Sequence, residues 1–482
     1  MNVKAVFNTL GKIAVVEGVL LVLPLIVSLI YSEFFSAAIF ALTIAFAAAV
    51  GGILTLLTQR HSHVIYAKEG FTIVAGAWIL ISLIGALPFK LSGNIPSYID
   101  AFFETVSGFT TTGASILTDI ESLPRGMLFW RSFTHFIGGM GFLVFVMAII
   151  PNITDRSIHI LKAEVPGPAV GKLVPKIKDT AKILYLIYVA ITLLEIIMLI
   201  CGGMPVFDSV VHSFGTAGTG GFGIKSDSIT SYNAYCQWVI GVFMMLFGIN
   251  FNIYYLVLMR KFKDVLKSSE LWGYITIMLV STVIVTLNNL RIYGQLTTSS
   301  RHSFFQVSSI MTTTGFATAD FDRWPQLSRV ILVLLMILGA SAGSTGGGIK
   351  MARVLILFKS LHNSIQKMLH SRCIKLVKLD GKTVDHATIR EVNVFMSAYL
   401  LFCGLSMLVI SAENFSFDTT VTSVLACINN IGPGLGTIGP SGNYAAFSDF
   451  SKIVLTLDML IGRLEIFPML MLFSPSVWKR GQ

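Results

Sequence analysis

"FFETVSGFTTTG" at 102–113 and "FFQVSSIMTTTG" at 304–315 are two versions of one phrase, set 202 residues apart in a chain of 482. Aligned on their last glycines, Phe102 falls on Phe304, Phe103 on Phe305, and Thr110, Thr111, Thr112 and Gly113 on Thr312, Thr313, Thr314 and Gly315. The apolar part of each phrase is too short to cross a hydrocarbon layer of roughly 30 Å, which takes about 20 helical residues. It enters the membrane and must leave on the same side. The polar turn that follows cannot face lipid, where its amides and carbonyls would go unpaired, so it lines protein or a water-filled cavity.

Two further stretches stand in the same kind of slot, "PVFDSVVHSFGTAGTGGFG" from 205 and "FSFDTTVTSVLACINNIGPGLGTIG" from 415. The repeating unit is therefore span, half-span, polar turn, span. Four such turns meeting on one axis would present rings of carbonyl oxygens, with threonine hydroxyls as further acceptors, in place of the hydration shell of a dehydrated cation. Glycine suits a backbone whose carbonyls all point inward, because those dihedrals resist a side chain. The expected ion filter comprises Thr110, Thr111, Thr112 and Gly113; Ala217, Gly218, Thr219 and Gly220; Thr312, Thr313, Thr314 and Gly315; and Ile431, Gly432, Pro433 and Gly434. The matched glycines are Gly113, Gly220, Gly315 and Gly434, with Gly432 the rival in the fourth unit. The competing reading is that small and hydroxyl residues serve helix packing and loop turns.

Working outward, 54% of the residues are hydrophobic and 12% charged, against roughly 25% charged in a soluble domain. The chain reads as a polytopic membrane protein. Apolar segments of spanning length lie near 13–30, 34–58, 69–89, 127–150, 181–201, 233–257, 271–289, 327–350, 391–411 and 449–473. With the N-terminus cytoplasmic, the inside segments hold 24 Lys or Arg and the four outside segments 5. The net charge of +10 is thus a topology signal with both termini inside, and no clustered basic face points to nucleic acid. The five cysteines, Cys201, Cys236, Cys373, Cys403 and Cys427, show no metal-ligand spacing and read as free thiols. No cleavable leader is expected, because the first apolar run ends without a small-residue cleavage site.

The eighth span contains "GASAGSTGGGIK" at 339–350. Residues of that type break helices, and an unwound element at membrane depth must be buried or face a cavity. Gly339, Gly343, Ser344, Thr345, Gly346, Gly347 and Gly348, with Lys350, form a candidate gate; a packing seam of small residues is the alternative. Lys350 is placed near the inner interface. Arg463, in "GRLE", sits in the last span at a cost of at least about 2.5–3.5 kcal/mol if lipid-facing. It therefore faces the interior, either repelling cations on the axis until neutralised by the gate or Glu465, or bracing helices through a carboxylate. Asp100, Glu104, Asp119 and Glu121 surround the first turn, either concentrating cations or simply solvated. His135 reads as a packed, hydrogen-bonded histidine.

On these motifs, "SGFTTTGAS", "GTAGTGGFG", "MTTTGFAT", "NNIGPGLG", "GASAGSTGGGIK" and "GRLE", the chain resembles the bacterial TrkH/KtrB potassium uptake family, over about residues 69–475. The two extra N-terminal spans place it nearer the TrkH branch. The resemblance implies an all-α polytopic membrane protein with four fused span–pore-loop–span units in pseudo-four-fold arrangement plus two N-terminal spans. Its divisions are 1–60 for the N-terminal spans, then 61–160, 161–262, 263–385 and 386–482 for the repeats. It implies K+ as the transported ion, held at Thr111, Thr112, Thr219, Thr313, Thr314 and Gly432, and no bound cofactor. It also implies a homodimer in the bacterial plasma membrane with a TrkA-like nucleotide-binding ring on its cytoplasmic face. By the same resemblance, 339–348 is the gate and Arg463 faces the conduction path. The fourth turn, "IGPG", and the second, "AGTG", depart from TTTG, so the ring is not four-fold in side chains. Each repeat offers one clearly placed glycine where the TVGYG filter of tetrameric potassium channels has two, so fewer ordered carbonyl layers and a modest K+ over Na+ selectivity are expected. The alternative function is a proton- or sodium-coupled K+ symporter, a class that uses broken helices at mid-membrane. A membrane enzyme is disfavoured, since no nucleophile is paired with a base. The loop 351–390, with eight basic residues, is long enough for a partner to dock on.

Overall fold

The computed structural model describes residues 1–59, 67–141, 177–370 and 376–475. The chain is helical throughout, apart from a two-stranded hairpin pairing Lys378–Leu379 with Lys382–Thr383. Six helices among the described residues are long and apolar enough to cross a membrane, and a seventh crossing is counted if one bent pair is a single span. Exposed leucines such as Leu186, Leu400 and Leu408 cover their outer faces, as lipid contact requires.

The first crossing starts at Val3, earlier than the hydropathy alone indicates, and runs to Ile30 with a break at Leu21. Pro24 explains the break, because it has no amide to give to the preceding turn. This helix packs on Phe34–Leu57 through glycines: a Cβ on Gly51 would lie 2.5 Å from the carbonyl of Gly11, so the two backbones touch.

Four half-helices fill the slots read from the repeats: Tyr98–Phe109, Val206–Gly218, Leu296–Met311 and Phe417–Ile428. Their starts are marked in the sequence. Ser97 and Ser416 accept backbone amides at the first and fourth, and Asp100, Asp208 and Asp418 sit in first turns, where a carboxylate favours the helix dipole.

The helix that follows each turn departs from an unbroken span. In the second unit, Ala234–Phe247 and Phe251–Leu258 meet at 90° across Gly248–Asn250. The expected eighth span stops at Ile337 and resumes at Met351, and the expected tenth stops at Arg463 and resumes at Phe467. In the first unit the helix is Arg125–Gly139, and the rest of the expected span 127–150 lies outside the described residues, as do most of the expected loop 151–182 and Cys373. The stops fall where glycine removes both helix propensity and the side chain that would fend off a neighbour. A Cβ on Gly138 would lie 1.9 Å from the carbonyl of Phe109, and one on Gly462 1.9 Å from that of Ile428.

The expected loop 351–390 contains a helix, Met351–Leu369, that begins where the broken segment ends, and the hairpin.

Candidate cation pathway

Each half-helix ends in the same way. The amides of Thr112, Gly220, Thr314 and Ile431 reach back five residues to the carbonyls of Ser107, Gly215, Ser309 and Ala426, all at 2.8 Å. The residue before each, Thr111, Thr219, Thr313 or Asn430, is left-handed, with φ between 53° and 59°. This is the Schellman way of closing a helix, which ordinarily takes glycine at the left-handed position. A threonine there is costly because it is β-branched, and three of the four turns carry one. Such strain persists only where the surroundings over-determine it, which is typical of functional sites.

The geometry corrects the register read from the sequence. Gly113, Gly221, Gly315 and Gly432 share a positive φ of 76–93°, so Gly221, one residue later than Gly220, is the partner of Gly113. In the fourth turn the equivalent is Gly432; Gly434 instead donates its amide to Ile438 and packs on Thr422. Ala217 and Gly218 are the last residues of their half-helix, and Pro433 packs against Gly315. A Cβ on Gly113 would lie 2.0 Å from the carbonyl of Gly220, on Gly221 2.0 Å from Thr314, on Gly315 2.2 Å from Ile431, and on Gly432 2.7 Å from Thr112. Each glycine therefore abuts the residue before the next turn's glycine, and the contacts run from first turn to second, third, fourth and back to first.

All four glycines line one cavity of about 100 Å³, together with residues that follow the turns such as Ser115 and Tyr444. The carbonyl ends of four half-helices, carrying the negative ends of their dipoles, converge here. The hydroxyls divide by position. Thr110 and Thr112 bond each other at 2.8 Å, as do Thr312 and Thr314, and Thr110 and Thr312 also return to helix carbonyls at 2.7 Å. The middle hydroxyl of Thr111 is buried and unpartnered among the described residues, whereas that of Thr313 accepts the amide of Gly347 at 2.7 Å. Asn430, in the same place in the fourth turn, donates to Thr112 at 3.0 Å.

Polar side chains in the walls fasten the turns to one another. Glu104, expected as an outer charge, is instead buried: it takes Arg131 Nε at 2.6 Å, Ser115 Oγ at 2.9 Å and the Ile116 amide at 3.0 Å. Arg131 also donates to the carbonyl of Gly223 at 2.9 Å and lies 3.5 Å over the Phe222 ring. The pair thus fastens the exit of the first turn to that of the second. His135 does the same lower down. Its Nε2 accepts the Phe222 amide at 3.3 Å, which assigns the proton to Nδ1, and Nδ1 donates to Gly108 at 2.7 Å. Asp100 is paired with Lys452 at 2.6 Å. Asp119 caps the local turn, and Glu121 accepts the Ser226 amide at 3.2 Å.

On the opposite side of the turns lies the broken segment between Ile337 and Met351. A Cβ on Gly346 would be 2.9 Å from the carbonyl of Thr312, and one on Gly347 2.5 Å from that of Asn429. Those are the first residues of the third and fourth turns, whereas the cavity touches the last. The segment closes on itself, with Gly339 donating to Ile349 at 2.8 Å and Ser344 to Ser341. It is then tied to every unit. Ser341 donates to Gly248 at 3.1 Å, Gly343 accepts from Phe251 at 3.0 Å, and Thr345 donates to Phe247 at 3.2 Å, all in the break of the second unit. Gly348 lies close to Gly339. Arg463 donates to Thr345 at 2.9 Å, to Gly139 at 2.8 Å and to Gly138, joining the segment to the first unit.

Two readings change here. Glu465, offered by the sequence as the neutraliser of Arg463, forms a two-pronged pair with Arg353. Lys350 is 2% exposed and donates inward to the carbonyl of Gly346, so it does not reach the interface. Sequence reasoning missed Glu270, at the start of its helix, whose one oxygen accepts the amides of Ala342 at 2.6 Å and Ala352 at 3.2 Å, tying the interior of the segment to the first turn of the helix that follows it. A lone acid at a helix start carries no such signal. Arg131 did leave one, a charge inside the apolar run "FWRSF".

Chemically, a ring of backbone oxygens over a buried hydroxyl suits a dehydrated monovalent cation. No group of His, Cys, Asp and Glu that would hold a divalent metal is present among the described residues.

Residues 36–480 match the family TrkH, described as a cation transport protein. The chain is 36% identical over 487 aligned positions to the Trk system potassium uptake protein TrkH of Salmonella typhimurium, covering 99% of this chain and 100% of that one. It is also 36% identical to the Trk system potassium uptake protein TrkG of Escherichia coli, at 99% of both. The crystal structure of the potassium transporter TrkH from Vibrio parahaemolyticus superimposes with a TM-score of 0.89 at 30% identity, covering 99% of this chain and 100% of that one.

Proposed function

The chain belongs to the TrkH family of cation transport proteins, and on that premise we propose that it is the K+-translocating subunit of a bacterial potassium uptake system, working as a gated conduit. It is a multi-span membrane protein of a transporter family and not an enzyme. K+ is the cargo. Four units, 61–160, 161–262, 263–385 and 386–482, surround one axis in pseudo-four-fold arrangement, with the helices of 1–60 packed outside.

The observation that carries this reading is the closed set of contacts in which each positive-φ glycine meets the backbone carbonyl of the next turn. K+ sheds water in the outer cavity and passes carbonyls and hydroxyls contributed by all four turns, including those of Thr111, Thr112, Thr219, Thr313, Thr314 and Gly432. The membrane potential drives it inward, at about 2.3 kcal/mol per unit charge per 100 mV. Segment 339–350 is the gate. In the conformation described it lies against the inner ends of the third and fourth turns, held by Glu270, Thr313 and Arg463. Conduction requires it to swing away, pulled through the helix Met351–Leu369 that leaves it. Both termini are cytoplasmic, the protein acts as a homodimer in the plasma membrane, and a TrkA-like nucleotide-binding ring docks on the basic stretch 351–390.

The test is electrical. Purified protein in liposomes with K+ on one side and Na+ on the other is expected to give a reversal potential that follows K+, and Gly315→Ser is expected to abolish or shift it. A potential that instead follows a proton or Na+ gradient at fixed stoichiometry replaces the conduit with a coupled symporter.

A further inference from the structure

Tyr444 belongs to the segment that follows the fourth turn, far from the half-helices in sequence, yet it is built into the outer ring. The residue is 2% exposed. Its ring sits 5.5 Å from Phe103 and 5.5 Å from Phe447, and its amide donates to the carbonyl of Ser115 at 2.8 Å, two residues past Gly113. The hydroxyl so positioned donates to the carbonyl of Gly432 at 2.7 Å. Gly432 shares the outer cavity with Gly113, Gly221 and Gly315, and Tyr444 lines the same cavity. Among the described residues no hydrogen bond reaches the carbonyls of those other three glycines. The outer layer therefore has three oxygens with both lone pairs free and one already engaged.

We propose that Tyr444 is a specificity-determining residue of the cation pathway, which by hydrogen-bonding the Gly432 oxygen weakens one of four ligands in the outermost layer and lowers the preference for K+ over Na+. The inference rests on the conduit reading above. An oxygen that accepts a phenol proton offers less charge to a cation and is held toward its donor. K+ is the larger ion and is better served by more oxygens, so selectivity depends on how many dipoles reach it and how strongly they act. Three full ligands and one weak one discriminate less than four. The asymmetry resides in a side chain outside the TTTG-like motifs, so comparing those motifs does not reveal it.

Tyr444→Phe removes the proton and keeps the packing. In liposomes the ratio of K+ to Na+ permeability, read from reversal potentials, is expected to rise about threefold or more as the fourth oxygen is released. An unchanged or lowered ratio overturns the proposal, since a purely structural tyrosine alters yield, stability or total flux without raising the ratio. If the Phe variant does not fold, 3-fluorotyrosine at position 444, a stronger donor of nearly the same shape, is expected to lower the ratio, and no change or a rise overturns the proposal. The wild-type trace separates the two ideas. Failure to follow K+ in wild type removes the conduit reading, whereas a K+-following wild type with an unmoved variant removes only the role of Tyr444.

Discussion

The four turns and the segment 338–350 are both glycine-rich, both irregular and both at membrane depth, but they are held differently. Each turn is closed by a short hydrogen bond back into its own half-helix, and its glycine has no room for a methyl group against the next turn. Around them the Glu104–Arg131 pair, His135 and Tyr444 are buried and satisfied. The segment, by contrast, is held largely by hydrogen bonds to other parts of the chain: Glu270, Thr313, Arg463 and three bonds to the break around Gly248. A turn cannot move without unwinding a helix end. The segment can move by exchanging a handful of hydrogen bonds, which is what separates a fixed coordination site from a gate built of the same residue types.

The largest expected effect falls on the fixed region. Gly315→Ala places a methyl 2.2 Å from the carbonyl of Ile431 at a φ of 87°; with strain of order 1–3 kcal/mol or more at the ring, Rb+ uptake into liposomes is expected to fall by about tenfold or more. Uptake within a factor of two of wild type would show that the ring yields, and the contrast with the segment would be lost.

Next comes the wall. Arg131→Leu strands Glu104 and is expected to cost about 3–5 kcal/mol, visible as a lower thermal midpoint in detergent, while Glu104→Met with Arg131→Leu restores most of it. If the double variant is no better than the single, the pair does more than satisfy itself.

The segment is expected to respond in the opposite sense, with more flux. Arg463→Ala removes the bonds joining Thr345 to Gly138 and Gly139; bonds from a charged donor contribute about 1.5–3 kcal/mol each, so K+ flux is expected to rise roughly threefold or more. A fall would mean that Arg463 supports the conducting state. Glu270→Gln keeps an acceptor for the Ala342 and Ala352 amides but loses its charge. Charge-assisted bonds are about twice as strong as neutral ones, so a rise of about twofold is expected, and none at all would remove Glu270 from the latch. The smallest effect is at the mouth. Asp119 caps a surface turn, and Asp119→Asn is expected to change flux at 0.15 M salt by less than about twofold; a larger change would restore the view that outer carboxylates gather cations.

Much of this arrangement is legible in one dimension. The two TTTG phrases, the half-span lengths and the run of five glycines between 339 and 348 mark the turns and the break, because short apolar runs and helix-breaking residues act locally. The bend at Gly248–Asn250 and the stop at Arg463 are not legible by hydropathy, since both pieces of each pair are apolar and the break shows only in geometry. The slip between Gly220 and Gly221 has the same origin. In "GTAGTGGFG" consecutive glycines look equivalent as letters, and only the left-handed Thr219 and the Schellman bond from Gly220 assign them.

By itself, the sequence determined that this chain crosses a membrane many times, that four half-spans with polar turns recur in it, and that one crossing is unwound. Each of these follows from lengths, hydropathy and local backbone preference. Tertiary structure alone decided which glycine meets which carbonyl, that Glu104 and Lys350 turn inward, that Glu465 takes Arg353 and leaves Arg463 to backbone carbonyls, and that Glu270 and Tyr444 belong to the site. Those partners lie tens to hundreds of residues apart. A buried charge or hydroxyl must find some partner, but which of several it finds depends on distances that only the packed helices set.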